Sequence, residues 1–116
     1  MKIAKVCAAL AMAAMLVSAG QAKASFGAGE TKCSSVRQSS FTARDPIGQY
    51  LLGYVAGGVE VFIANFDPDG EVERNLLRWN DQRIFELAVD YCRAFPERPL
   101  REAGTDIVSA IITGDE

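Results

Sequence analysis

Histidine is absent from the 116 residues. That absence removes Ser–His and Cys–His nucleophilic catalysis, because neither nucleophile has an imidazole to take its proton. It removes imidazole-based zinc sites too, and it leaves little to titrate between about pH 5 and 8. Cysteine is scarce: Cys7, Cys33 and Cys92, with no C-x-x-C pair. So few thiols do not make a structural zinc site, and no histidine or C-x-x-C partner is there to lower a thiol pKa. A phosphate-cradling loop is also missing, since Ala56-Gly57-Gly58 is not followed by the lysine such a loop requires. Basic residues are outnumbered, 12 Lys and Arg against 15 Asp and Glu. That balance suits nucleic acid poorly, because affinity there rests on neutralised phosphates. Carboxylates remain. Glu60, among apolar neighbours, is the best-placed candidate for a perturbed acid, although a lone helical carboxylate more commonly faces solvent. The expectation is a protein that is not an enzyme and has no cofactor.

What is present begins with a processing signal. Residues 1–24 carry a basic start (Lys2, Lys5), an apolar run from Val6 to Val17, and Ala22-Lys23-Ala24 in the A-x-A pattern of a signal-peptidase site. The run is about 12 residues, short of the roughly 20 needed to span a bilayer, so a cleaved signal peptide is expected over an uncleaved anchor. The sequence before Cys33, Gly-Glu-Thr-Lys, is no lipoprotein box, so no membrane attachment is expected after cleavage. Cleavage after Ala24 leaves about 92 residues, one small domain. Losing Lys2, Lys5 and Lys23 takes the formal charge from −3 to about −6. Cys7 leaves with the signal, so Cys33 and Cys92 remain. Two thiols in an exported small domain most simply form one disulfide, with two buried free thiols as the alternative. Such a bridge closes a loop of about 60 residues and stabilises by roughly 4 kcal/mol, less any strain.

Residues 25–44 are rich in Ser, Gly and Thr and read as an irregular arm with a helical turn near Cys33. Asp45-Pro46 reads as a helix start, an N-cap acceptor followed by proline at the first position. In the segment that follows, Ile47, Leu51, Tyr54 and Val55, then Val59, Phe62, Ile63 and Phe66, recur at helical spacing. Gly53 and Gly57 share a face and suggest close approach by another backbone, and Gly57-Gly58 suggests a kink or break. Val59–Ile63 alternates like a strand, but a lone strand has no partner. Asp67, Asp69, Glu71 and Glu73 then crowd an acidic turn. The EF-hand spacing is missing, so a solvated turn is expected rather than a calcium loop. Leu76, Leu77 and Trp79 form a short apolar patch, in which Trp79 is expected to cover the core. Asn80 or Asp81 caps the next helix, whose stripe is Ile84, Leu87, Ala88, Tyr91, Cys92 and Phe95. Cys92 therefore faces inward. Pro96 ends that helix, and Arg98-Pro99 begins the last, with Leu100, Ala103, Ile107, Val108, Ile111 and Ile112 at helical spacing. Residues 45–116 thus read as a small all-α bundle of three main helices, stapled to the arm.

A cysteine near the mature start, the stretch YLLGYVAGG (Tyr50–Gly58) and the stretch YCRAFPERPLREA (Tyr91–Ala103) together resemble the HdeA/HdeB-like group of small exported bacterial proteins. The resemblance covers about 70 residues, most of the mature domain. It implies an all-α fold with one disulfide, carried onto Cys33 and Cys92. It also implies a periplasmic, ATP-independent acid-stress chaperone that binds unfolded clients at low pH and forms a homodimer near neutrality. Asp67 to Glu73 lies outside the pattern. Small exported helical domains with a similar YC…P ending also resemble periplasmic immunity proteins that inhibit type VI secretion toxins. On that reading the acidic loop, Asp67, Asp69, Glu71 and Glu73, would meet a basic toxin, whereas the chaperone reading directs attention to the Leu76, Leu77 and Trp79 patch. A small binding module of unassigned role is the third expectation.

Overall fold

The computed structural model describes residues 27–115. The segment read as a signal peptide, 1–24, lies outside the described residues. Four helices form the body: α1 Pro46–Phe66, α2 Glu71–Leu76, α3 Asp81–Ala94 and α4 Leu100–Thr113. Among the described residues there is no strand, only an isolated bridge between Lys32 and Pro99. The fold is a small all-α bundle of three long helices, as the periodicity predicts, with a short fourth where only a charged turn was expected.

Local signals explain the boundaries. The Asp45 carboxylate accepts a hydrogen bond from Ile47 N–H at 2.9 Å, and proline occupies the first turn of α1. Asn80 caps α3, its side-chain oxygen accepting from Arg83 N–H at 2.8 Å. That helix stops at Ala94, just before Phe95-Pro96. The last helix begins at Leu100, slightly later than the Arg98-Pro99 signal suggests, with Pro99 as its cap. Gly114 closes it in the left-handed region (φ 77°).

The core is apolar throughout. Leu51, Val55, Val59, Leu100, Ile107 and Ile111 are fully buried, and no side-chain polar atom among the described residues is buried without a partner. Cys92 joins the buried face of α3 with Ile84 and Ala88. The Cys33–Cys92 disulfide is present, with a Cα–Cα distance of 4.9 Å across a separation of 59 residues. An oxidised pair of this kind is compatible with an oxidising compartment.

Several glycine and stripe expectations need correction. Helix α1 runs 21 residues unbroken through Gly57-Gly58, where a kink or break was expected, and takes in the alternating Val59–Ile63 segment as helix, as expected. With no second strand to bond to, those backbone groups pair within the helix. Gly53 and Gly57 receive no other backbone: a Cβ at either would meet nothing within 4 Å. The close approaches fall at other glycines. Gly48 abuts the Thr42 backbone, Gly58 faces Val108, and Gly104 receives the Tyr54 ring. Phe66 and Phe95, expected on apolar stripes, are 67% and 40% exposed. Phe66 is the last residue of α1 and Phe95 lies beyond the last of α3, so neither reaches the packed centre.

Candidate functional site

The acidic turn was the leading candidate surface, and its residues do different jobs. Both carboxylate oxygens of Asp67 accept backbone hydrogen bonds, from Val72 N–H at 3.0 Å and Glu73 N–H at 3.1 Å. Asp67 thus satisfies two of the unpaired donors at the start of α2. Gly70 makes the turn possible with φ 70°, in the left-handed region. The Arg74 guanidinium donates to the Asp69 carbonyl at 3.0 Å and closes the turn from the far side. Glu71 and Glu73 stand exposed in the first turn of the helix, a favourable end of its dipole for negative charge. No group of three or more His, Cys, Asp or Glu side chains among the described residues is placed to hold a metal ion.

The apolar patch beside this turn does not form one surface. Leu76 and Trp79 pack against the core, while Leu77 is 81% exposed. A helical step of one residue turns neighbouring side chains about 100° apart, which splits the pair Leu76-Leu77. Trp79 covers the core as expected and carries the Arg83 guanidinium 4.9 Å from its ring centroid. Glu60 is exposed. Asp67, Asp69, Glu71 and Glu73 therefore make an ordered acidic knob, flanked along the chain by the exposed Phe66 and Leu77.

Two features escaped the sequence reading. One is the clasp of the arm. Its backbone runs antiparallel to the turn between α3 and α4: Cys33 N–H donates to Arg98 O at 2.9 Å, Ser34 N–H to Pro96 O at 2.7 Å, and Leu100 N–H to Thr31 O at 2.8 Å. Two ion pairs flank this run, Lys32–Glu97 at 3.1 Å and Arg101–Glu30 at 2.7 Å. The hydrogen bond to Glu30 holds the Arg101 guanidinium above its ordinary pKa. Tyr50 lies against Gly29 of the arm. Burial, then its neighbour Tyr54, pushes the Tyr50 hydroxyl above its ordinary 10.0, with Arg101 opposing. These pairings link residues 65 and 71 positions apart, and no local pattern marks them.

The other feature is a groove of about 740 Å³ between the arm and α3. Phe41, Phe85 and Val89 form its apolar floor, and Gln38, Glu86 and Arg93 stand along its rim. Phe41 is buried (8% exposed) although it sits in the arm, where the sequence carries no helical periodicity to announce it. Phe85 and Val89 are four apart on α3, a pairing that periodicity alone would assign to a second, weaker stripe.

Taken together, these elements define a small all-α domain stapled by one disulfide. Comparison with family models finds no match, and comparisons with curated proteins and with solved structures find none either.

Proposed function

We propose that this chain is an exported, ATP-independent chaperone-like protein of the HdeA/HdeB-like kind, acting in the periplasm by binding unfolded clients at low pH rather than by catalysis. One observation carries the reading: the arm is held by two kinds of fastener, one that acid releases and one that it leaves intact. Neutralising carboxylates removes the Lys32–Glu97 and Arg101–Glu30 pairs, whereas the Cys33–Cys92 bond is indifferent to protons. Exposed pairs contribute little singly. They are discharged together with the other carboxylates, and the mature formal charge swings from about −6 to about +9. Self-repulsion then loosens the arm while the disulfide keeps it tethered, and the apolar floor at Phe41, Phe85 and Val89 opens to clients. The absence of histidine places this response in the carboxylate range, near pH 4, rather than near neutrality.

The test is an aggregation assay on the oxidised chain from Ser25 onward. A denaturable client is mixed with it at about pH 2–3 and at pH 7, and light scattering is followed. Suppression in acid alone supports the reading; no suppression at either pH sinks it. The double variant Glu30→Gln/Glu97→Gln, which mimics discharge of the clasp, is expected to protect at a higher pH than the wild type.

A second reading, a periplasmic immunity protein against a type VI secretion toxin, is favoured by the ordered acidic knob. None of the ion pairs among the described residues engages Asp69, Glu71 or Glu73, so their charge is free to steer a basic partner. Salt-sensitive, neutral-pH inhibition of a toxin encoded beside this chain, weakened by Glu71→Gln/Glu73→Gln, supports that reading against the first.

A further inference from the structure

We propose that Cys92 is an S-thiolation site: an anionic low-molecular-weight thiol enters the groove beside α3 and exchanges with the Cys33–Cys92 bond, which makes the staple of the arm a reversible one. Cys33 and Cys92 are 3% and 9% exposed, so a reagent reaches the bond either by unfolding the chain or through an opening in the packed structure. Such an opening is present. Both cysteines line a recess of about 220 Å³. The recess shares Gln38, Phe41, Val89 and Arg93 with the groove of about 740 Å³ between the arm and α3, so the two are continuous. A recess of that size takes the few heavy atoms around the sulfur of a small thiol, and the wider groove takes the rest of the molecule.

Charge decides which thiol. The attacking species in exchange is the thiolate. With no histidine in the chain, no imidazole deprotonates it in place. It must arrive as an anion and be held as one. Arg93 is the one charged residue among the described residues lining the recess, and it follows Cys92 directly in the chain. Its ion pair with Asp90 is loose, 3.9 Å with both side chains exposed, so its guanidinium is available to a second anion. The cation beside Cys33 is committed, since Lys32 pairs with Glu97 at 3.1 Å. Glu86 and Asp90 line the outer groove but not the recess, which leaves the positive charge concentrated where the bond lies. Cys92, the more exposed partner and the neighbour of Arg93, is therefore the one attacked. A new S–S bond forms between the thiol and Cys92 Sγ, the Cys33–Cys92 bond breaks, and Cys33 leaves as a thiolate that takes a proton from water. The incoming sulfur is oxidised to the disulfide level and Cys33 is reduced. Its departure does not free the arm. Cys33 N–H still donates to Arg98 O at 2.9 Å and Ser34 N–H to Pro96 O at 2.7 Å. Cys33 thus stays within reach to attack the mixed disulfide and restore the bridge.

The inference does not depend on chaperone activity and is tested without a client. The oxidised chain from Ser25 onward is mixed at about pH 8, close to the range where thiols ionise, with anionic 2-mercaptoethanesulfonate or with neutral 2-mercaptoethanol. Samples are quenched in acid, and mass spectrometry of the peptides locates the adduct. The expected result is an adduct on Cys92, formed at a rate proportional to thiol concentration and unchanged by urea below the unfolding transition. Arg93→Gln is an exposed change on α3, and circular dichroism checks that its fold is kept. It should slow the anionic thiol about threefold or more relative to the neutral one. A rate that saturates with thiol and climbs steeply with urea would mean that only the unfolded chain reacts, and it overturns the proposal. So do an adduct on Cys33, no adduct on either cysteine, or a ratio of rates indifferent to Arg93→Gln.

Discussion

Alanine at Gly48 and alanine at Gly53 should move stability in opposite directions, although both sites lie on α1. Within a helix the change from glycine is worth about 1 kcal/mol, because alanine loses less backbone freedom on folding. At Gly53 that gain arrives unopposed, since the new methyl meets nothing within 4 Å. At Gly48 the methyl would overlap the Thr42 carbonyl oxygen and sit 2.7 Å from its carbon and 3.0 Å from the Thr42 nitrogen. These are backbone atoms, so no rotamer change relieves them; the arm itself must shift. Phe41 is buried just before Thr42, and Asp45 caps α1 just after it. Moving the segment disturbs both. Overpacking costs roughly 1–3 kcal/mol, and partial loss of Phe41 burial adds about 1 kcal/mol or more. The net expectation is a loss of about 1–3 kcal/mol or more for Gly48→Ala and a gain of about 1 kcal/mol for Gly53→Ala. Urea unfolding of the oxidised chain from Ser25 onward, followed by circular dichroism, reads both. With a slope near 1 kcal/mol/M, the midpoints should move by about 1 M or more down and about 1 M up. A Gly48→Ala midpoint at or above wild type would refute the packing argument.

Removing the Asp67 side chain strands the Val72 and Glu73 N–H groups. Asp67→Ala should therefore cost about 1–2 kcal/mol. Millimolar calcium should leave the Tm of the wild type unchanged, and a calcium-dependent rise abolished by Asp67→Ala would contradict the capping role. Cys33→Ser/Cys92→Ser reopens a loop spanning 59 residues and should lose about 4 kcal/mol; a urea midpoint within about 0.5 M of wild type would show that the bridge is not a main stabiliser. Burial raises the Tyr50 hydroxyl above 10.0, so the folded state holds that proton more tightly than the unfolded one. The resulting stability is fully present below about pH 10 and is lost as pH rises through the folded-state value. Tyr50→Phe should flatten the decline of Tm as pH rises above about 10, and an unchanged decline would place its cause elsewhere.

The three long helices of this protein are determined locally, and the sequence by itself determined them. Asp45-Pro46 opens α1, Asn80 caps α3, and the Leu100–Ile112 spacing marks α4, because caps and periodic stripes act within a turn or two. The Cys33–Cys92 bridge followed from the count of cysteines and the expectation of export, not from geometry. Short α2 was missed because six residues with four charged or polar side chains show no stripe; only the Asp67 cap and the Gly70 turn, acting together, make it a helix. The roles of the glycines were decided by tertiary structure alone. Gly53 and Gly57 look like contact residues and are open, whereas Gly48 looks incidental and is pressed against Thr42. Nothing in residues 46–66 records where the arm will lie. The same holds for the candidate site. The acidic cluster was visible as composition, but whether its carboxylates cap a helix or face solvent depends on the path of the chain around Gly70. The Lys32–Glu97 and Arg101–Glu30 pairs, and the burial of Phe41, join segments distant in sequence. Only the packing of the arm across α3 and α4 brings them within reach, since side chains interact over a few ångströms of space and not along the chain.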